Sequence, residues 1–210
     1  MSTPTTKRYP GINLVDGHES EHDKTETSLF GFWVFMMSDL ILFGLMFAVY
    51  ITMIGATASG PGPKELFDFT SLGIQTILLL LSSLTIGLAA IAMKHKEFQK
   101  QLIPWLIATL VLGLLFFVFE IKDFVAMAKQ GGVPSRSGYL SAFYMIVVLH
   151  GFHVLMGSLW LAVILAQLKV HGLVPIVRSR IMRLALLWHF LDVIWIGIFS
   201  IVYFGGWLYG

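Results

Sequence analysis

The sequence predicts an all-α integral membrane protein, a bundle of five transmembrane helices. Of its 210 residues, 57% are hydrophobic and only 12% are charged, whereas a soluble domain is about one-quarter charged. Five apolar stretches are each long enough to cross a bilayer, which takes roughly 20 residues. Loops marked by Gly, Pro, Lys or Arg separate these stretches, and the chain length allows one compact bundle.

Composition also excludes several classes of function. The formal net charge is only +2, so nothing indicates a nucleic-acid partner. The chain has no cysteine, which excludes disulfides, thiolate metal sites, cysteine-ligated iron–sulfur clusters and cysteine nucleophiles.

Two regions are expected along the chain. Residues 1–28 are polar and mixed in charge, which predicts a mobile cytoplasmic tail, and residues 29–210 form the membrane domain. The five predicted spans of that domain are about 29–54, 70–93, 102–126, 138–168 and 184–207.

The first span is interrupted only by Ser38 and Asp39, and the Pro- and Gly-rich residues 60–63 form the loop after it. The second span has no charge, and its Ser83, Gly87 and Ala90 are small residues at helical spacing, which permits close helix approach.

Residues 94–100 form a basic loop before the third span, whose Pro104 is tolerated in a first turn. The fourth span has no Asp, Glu, Lys or Arg. The fifth follows a basic loop at 169–183, and Trp207 and Tyr209 close it as an aromatic belt.

The positions of Lys and Arg predict the orientation. The tail, the second loop and the fourth loop hold ten of these residues, and the opposite side holds four. Because cytoplasmic loops carry the excess of basic residues, we expect the N-terminus in the cytoplasm and the C-terminus in the periplasm.

Asp39 lies about ten residues into the first span, hence roughly 15 Å along the helix. An acid at that depth either carries a proton or finds a polar partner. Position alone leaves two interpretations open. Asp39 is either a proton-accessible or lipid-contacting acid, or a protonated acid that donates one interhelical hydrogen bond.

The other intramembrane polar groups lie on three spans. His150 and His153 share one helix face, His189 and Asp192 lie within Trp188–Trp195, and Glu120 follows nineteen residues without a charge. A metal or haem site built from the histidines and Asp192 is one interpretation, and histidines that bridge helices are the other. We expect Glu120 to bond a histidine of the fourth or fifth span. We also expect His189 and Asp192 to find partners among His150, His153 and Glu120.

Three motifs carry a family resemblance. Ser141-Ala142-Phe143 with His150-Gly151-Phe152-His153 resembles the signature of subunit III of haem-copper terminal oxidases. Trp188–Trp195 resembles the last helix of that subunit, and Phe35–Phe43 resembles its helix with an intramembrane acid. That acid is glutamate in much of the family and reacts with hydrophobic carbodiimides; here it is Asp39. Five helices and the loop at 60–63 resemble most the bacterial cytochrome bo-type ubiquinol oxidase.

The resemblance implies a non-catalytic, cofactor-free subunit of a proton-pumping respiratory oxidase in the bacterial inner membrane. Haem, copper and the quinol site would belong to other chains, principally the catalytic subunit I. The subunit would bind phospholipid and support assembly and sustained proton uptake. Its intramembrane polar residues would then contact lipid or other subunits and have no catalytic role; these are Asp39, Glu120, His150, His153, His189 and Asp192.

Two other functions remain open from the residues alone. The first is an independent proton-coupled transporter or channel that uses the intramembrane Asp, Glu and His side chains. The second is an intramembrane haem or metal enzyme. Co-purification with a larger haem-containing chain separates the oxidase subunit from the transporter.

Overall fold

The computed structural model of the chain describes residues 17–94 and 100–209, and its regular secondary structure is helical throughout those ranges. Five of the α-helices in these ranges are long, and two have four residues each. In chain order the α-helices are α1 (Gly17–Met53), α2 (Pro63–Leu66), α3 (Phe69–Lys94), α4 (Leu102–Lys129), α5 (Gly138–His171), α6 (Pro175–Gly197) and α7 (Gly206–Tyr209). A 3₁₀ turn at Pro134–Arg136 precedes α5, and a π-helix at Ile198–Gly205 joins α6 to α7.

Five helical segments are long and apolar enough to cross a membrane, which confirms the predicted number of spans within the described residues. They are Leu29–Met53, Phe69–Met93, Leu102–Arg136, Gly138–His171 and Pro175–Leu208. The predicted orientation and the cytoplasmic location of the tail stay predictions, and residues 1–16 and 95–99 of the predicted tail and basic loop lie outside the described ranges.

Two helices begin earlier than predicted. Helix α1 begins at Gly17, inside the predicted tail, and α6 begins at Pro175, inside the predicted basic loop. Proline at a first helical position has its φ angle preset and lacks only an N–H that would be unpaired there. The arginines of that loop therefore lie on the first turns of α6, and Arg180 among them donates to the side-chain oxygen of Gln167 on α5 at 2.6 Å.

Four helices form a closed ring, and the fifth lies outside it. Helix α3 packs against α4 and α6, α5 also packs against α4 and α6, and α1 lies on the side formed by α5 and α6. The hydroxyl of Tyr50 on α1 donates to the carbonyl of Val202 in the π-helix at 2.8 Å, which ties the outer helix to the ring.

The indole of Trp188 fixes the centre of the ring. A Cβ atom at Gly113 on α4 would lie 2.8 Å from this ring, and one at Gly157 on α5 would lie 3.3 Å from it. The two glycines thus form a slot in which Trp188 is 2% exposed. Helices in lipid associate through close van der Waals packing, which small residues permit, so this slot locates α6 against α4 and α5.

Candidate functional site

Asp39 and His153 form a polar pair between α1 and α5. The carboxylate oxygen Oδ2 lies 3.5 Å from Nε2, and the Asp39 and His153 side chains are 13% and 23% exposed. Nδ1 of His153 lies 2.8 Å from the carbonyl oxygen of Leu149. Because a carbonyl only accepts, Nδ1 carries a hydrogen and Nε2 is left to face Asp39.

Both interpretations of Asp39 stay predictions, but its neighbour and its exposure are now defined. The acid has an interhelical partner, and it also keeps part of its surface at the outside of the bundle. One proton between Oδ2 and Nε2 satisfies the pair, either on the carboxyl group or on the imidazole. The site therefore places one carboxylate and one imidazole nitrogen side by side at a partly exposed position between two helices.

His150 faces a different part of the bundle. It is fully buried, its ring centroid is 5.4 Å from that of Trp195, and Phe116 meets it edge-on at 6.0 Å. Neither ring nitrogen has a hydrogen-bond partner among the described residues. His150 is therefore packed as an aromatic ring between α4 and α6, apart from the pair that His153 makes with α1.

Glu120 is buried on α4 at 3% exposure, and both carboxylate oxygens lack a hydrogen-bond partner in the described part of the chain. The predicted hydrogen bond to a histidine is therefore wrong. The carboxylate lies directly against Gly151 of α5, in space that a Cβ atom would occupy. Glycine at this position is what lets a buried acid approach the neighbouring helix.

His189 and Asp192 face α3, and the partners predicted for them are wrong. Nδ1 of His189 lies 2.7 Å from the hydroxyl of Ser83. Asp192 is 8% exposed, and its carboxyl group lies near both Ser83 and His189. The neighbouring serine, Ser82, accepts from the indole N–H of Trp188 at 2.8 Å.

A signal for this pairing was present in the sequence. Trp195 donates to Thr76 at 3.1 Å, while Trp188 donates to Ser82 at 2.8 Å. The two indoles lie two helical turns apart on α6, and the two hydroxyls lie at a similar spacing on α3. Hydroxyl residues that repeat at the spacing of the indoles indicate two antiparallel helices in contact.

Asp123 on α4 forms a second polar site. Its carboxylate accepts from the Ser71 hydroxyl at 2.8 Å and from the Gln75 amide at 2.6 Å. Gln75 is 1% exposed, so Asp123 satisfies a buried donor. A cavity of 210 Å³ lies beside it, lined in part by Asp68, Lys122 and Tyr203.

The described polar residues do not converge on a metal site. His150, His153, His189 and Asp192 face three separate environments. No three His, Asp or Glu side chains within residues 17–94 and 100–209 are close enough to hold a metal ion. What the arrangement provides is a set of hydrogen-bonded links between helices and one partly exposed contact between Asp39 and His153.

Comparison with known proteins decides the family. Residues 15–207 match the model of the family described as cytochrome c oxidase subunit III. The chain belongs to the cytochrome c oxidase subunit III family. This membership confirms the resemblance drawn from the three sequence motifs.

Curated relatives extend over almost the whole chain. A Pseudomonas aeruginosa protein named cytochrome bo(3) ubiquinol oxidase subunit 3 is 41% identical over 98% of this chain and 99% of its own length. A Buchnera aphidicola protein of the same name is 36% identical over 92% of this chain and 95% of its own. Quinol oxidase subunit 3 of Bacillus subtilis is 39% identical over 90% and 92%. These subunit III proteins are bacterial, and the five apolar helices here fit the same multi-pass membrane class.

Proposed function

We propose that this chain is the cofactor-free subunit III of a proton-pumping haem-copper quinol oxidase in a bacterial inner membrane. The names and coverage of the relatives support the quinol oxidase. In this role the chain supports assembly, phospholipid binding and sustained proton uptake by a catalytic subunit I, which holds the haem and copper. The observation that carries the proposal is the pair formed by Asp39 and His153.

The position of this pair suits a proton-exchange role. Helix α1 is the outer helix of the bundle, and Asp39 lies near the middle of its span. Both side chains are partly exposed, so protons and lipid molecules at this face can contact them. Glu120, in contrast, is buried inside the bundle. Intramembrane acids are costly against lipid and mark functional sites by default.

The remaining polar groups support a structural role in assembly. Hydroxyl, indole and imidazole groups link α3 to α6. The Gln75 amide and the Asp123 carboxylate link α3 to α4. A hydrogen bond between membrane helices is typically worth about 0.6 kcal/mol. Several such bonds hold the helices in register without supplying any reactive group.

A transporter acting alone would need polar groups joined in a path across the membrane. The described polar pairs instead lie apart, and in each pair the polar side chain contacts a partner on a neighbouring helix. This separation favours the oxidase subunit over the transporter.

Purification through a tag on this chain tests the proposal. We expect a larger haem-containing chain to co-purify, with ubiquinol oxidation coupled to oxygen reduction. In the Asp39→Asn variant we expect near-normal initial turnover and haem content but earlier inactivation during prolonged turnover. Ser38→Ala is the matched control, because the Ser38 hydroxyl bonds only its own helix, at the Phe35 carbonyl.

Three results would overturn the proposal. The first is a chain that purifies alone and moves protons in vesicles, which would establish the transporter. The second is immediate loss of turnover in Asp39→Asn at full haem content, which would make the acid a chemical participant. The third is an equal rate of inactivation during prolonged turnover in Asp39→Asn and wild type, which would show that Asp39 has no role in proton uptake.

A further inference from the structure

One face of the bundle carries an exposed imidazole at the depth of the lipid chains. His189 is exposed, and it shares this face of α6 with Val193 and Ile196, which are 62% and 50% exposed. Its bond to Ser83, near the middle of the span Phe69–Met93, fixes its depth. We call this surface, together with the adjoining small residues of α3, the His189 face.

The α3 side of the His189 face is open. Ser83, Gly87 and Ala90 are the small residues that follow one another at helical spacing. A Cβ atom at Gly87 would meet nothing within 4 Å, so no described side chain of this protein fills the space above it. Small residues let the backbone of another helix approach closely, and no described side chain occupies that approach at Gly87.

The outward faces of α1, α4 and α5 differ in chemistry, and the polar pair between α1 and α5 is closed on itself, since Asp39 lies 3.5 Å from His153. Exposed residues on the outer sides of α1, α4 and α5 include large apolar side chains, among them Ile41, Leu45, Ile107, Val118, Val148, Phe152 and Val163. The exposed hydroxyl of Ser38 on α1 is satisfied by its own helix. Those surfaces suit lipid chains. On the His189 face one ring nitrogen is used by Ser83, and the other, Nε2, points away from that bond.

We infer that a transmembrane helix of another oxidase subunit packs on the His189 face and brings a hydrogen-bonding side chain to Nε2 of His189. The inference rests on the proposed function, because it needs a complex with other membrane subunits. Lipid chains offer no hydrogen-bonding group, and histidines within membrane spans almost always face protein or water. A close-packed helix satisfies the imidazole and fills the space above Gly87 together.

Site-specific photocrosslinking in the assembled oxidase tests this position directly. A benzoylphenylalanine placed at Val193 samples the His189 face, and the same probe at Ile41 on α1 or Val118 on α4 samples outward faces of similar exposure, 66% and 60%. We expect an adduct to another oxidase subunit from position 193 and predominantly lipid adducts from positions 41 and 118. Lipid adducts alone from position 193, or an adduct to a second copy of this chain, would overturn the inference.

Substitution provides an independent measurement. His189→Leu removes the hydrogen bond and Gly87→Leu fills the open space, and each should weaken retention of this chain by at least about threefold, the factor of one interhelical hydrogen bond. Gly44→Leu on α1 is the matched control, because a Cβ atom there also meets nothing within 4 Å. Retention of both variants at the control level overturns the inference.

The experiment separates this inference from the proposed function. If no haem-containing chain co-purifies with the wild-type protein, the proposed function fails. If the complex forms normally but the crosslinks to it arise only from position 41 or 118, the function stands and the inference fails.

Discussion

The carboxylate of Glu120 on α4 lies against the backbone of Gly151 on α5, in the space that a side chain at position 151 would fill. Gly151→Ala should therefore destabilise the helix contact by about 1–3 kcal/mol, the usual cost of overpacking a core. The measurement is the midpoint temperature at which this chain dissociates from the solubilised complex. Gly44→Ala, at an open position, should leave that temperature unchanged.

A double variant identifies the residue responsible for the clash. Glu120→Ala should restore part of the stability lost in Gly151→Ala, because residues in contact show non-additive effects. Additive losses in the double variant would mean that the clash involves another neighbour.

A hydrophobic carbodiimide should label Asp39 in preference to the other intramembrane acids. Asp39 is 13% exposed as a side chain on the outer helix, whereas Glu120 and Asp192 are 3% and 8% exposed within the bundle. Mass spectrometry of the labelled chain measures the site. The label should disappear in Asp39→Asn and persist in Ser38→Ala. If Glu120 is the main labelled residue, exposure does not determine which acid reacts, and the prediction is wrong.

Asp123→Ala should destabilise the contact between α3 and α4 by about 1–3 kcal/mol, because the Gln75 amide would be left buried without its closest acceptor. Thermal dissociation of the solubilised complex measures the loss. Lys122→Ala, the exposed neighbour on the same helix, is the control. Replacing both Gln75 and Asp123 by leucine should cost less than Asp123→Ala, and an equal or larger cost would mean that the hydrogen bond is not the cause.

Reporter fusions should place residue 97 and residue 173 in the cytoplasm and residues 60 and 132 in the periplasm. The expectation follows from the ten basic residues on one side against four on the other. An alkaline phosphatase fusion is active only on the periplasmic side, and a green fluorescent protein fusion only on the cytoplasmic side. The reverse pattern at all four positions would mean that another feature determines orientation.

The fold was predictable because its signals are local. Each span is a continuous apolar run such as the one ending at Phe119, and lipid requires each to satisfy its own backbone as a helix. The arginines at 178, 180 and 183 predict a loop, yet α6 begins at Pro175, a residue that favours a helical first turn.

The pairing of polar groups was less predictable. The sequence located Asp39, His153 and His189 as polar groups in apolar spans, but a partner depends on how helices rotate and pack. The charge of nearby acids and histidines predicts ionisable partners for His189, but its neighbour is the hydroxyl of Ser83. A hydroxyl is uncharged and does not stand out in an apolar span. Only the matching spacing of Thr76 and Ser82 with the two indoles could have indicated that α3 contacts α6.

The π-helix at Ile198–Gly205 affects the direction in which the end of the chain faces. A π-helical turn contains more residues than an α-helical turn. Trp207 and Leu208 therefore point in a different direction around the helix axis from the one they would have in an unbroken α-helix. Removing one residue from an α-helix turns everything beyond it by about 100° about the axis. An insertion or deletion within 198–205 would thus rotate the terminal aromatic residues about the helix axis. The π-helix therefore determines which way those residues face relative to α6.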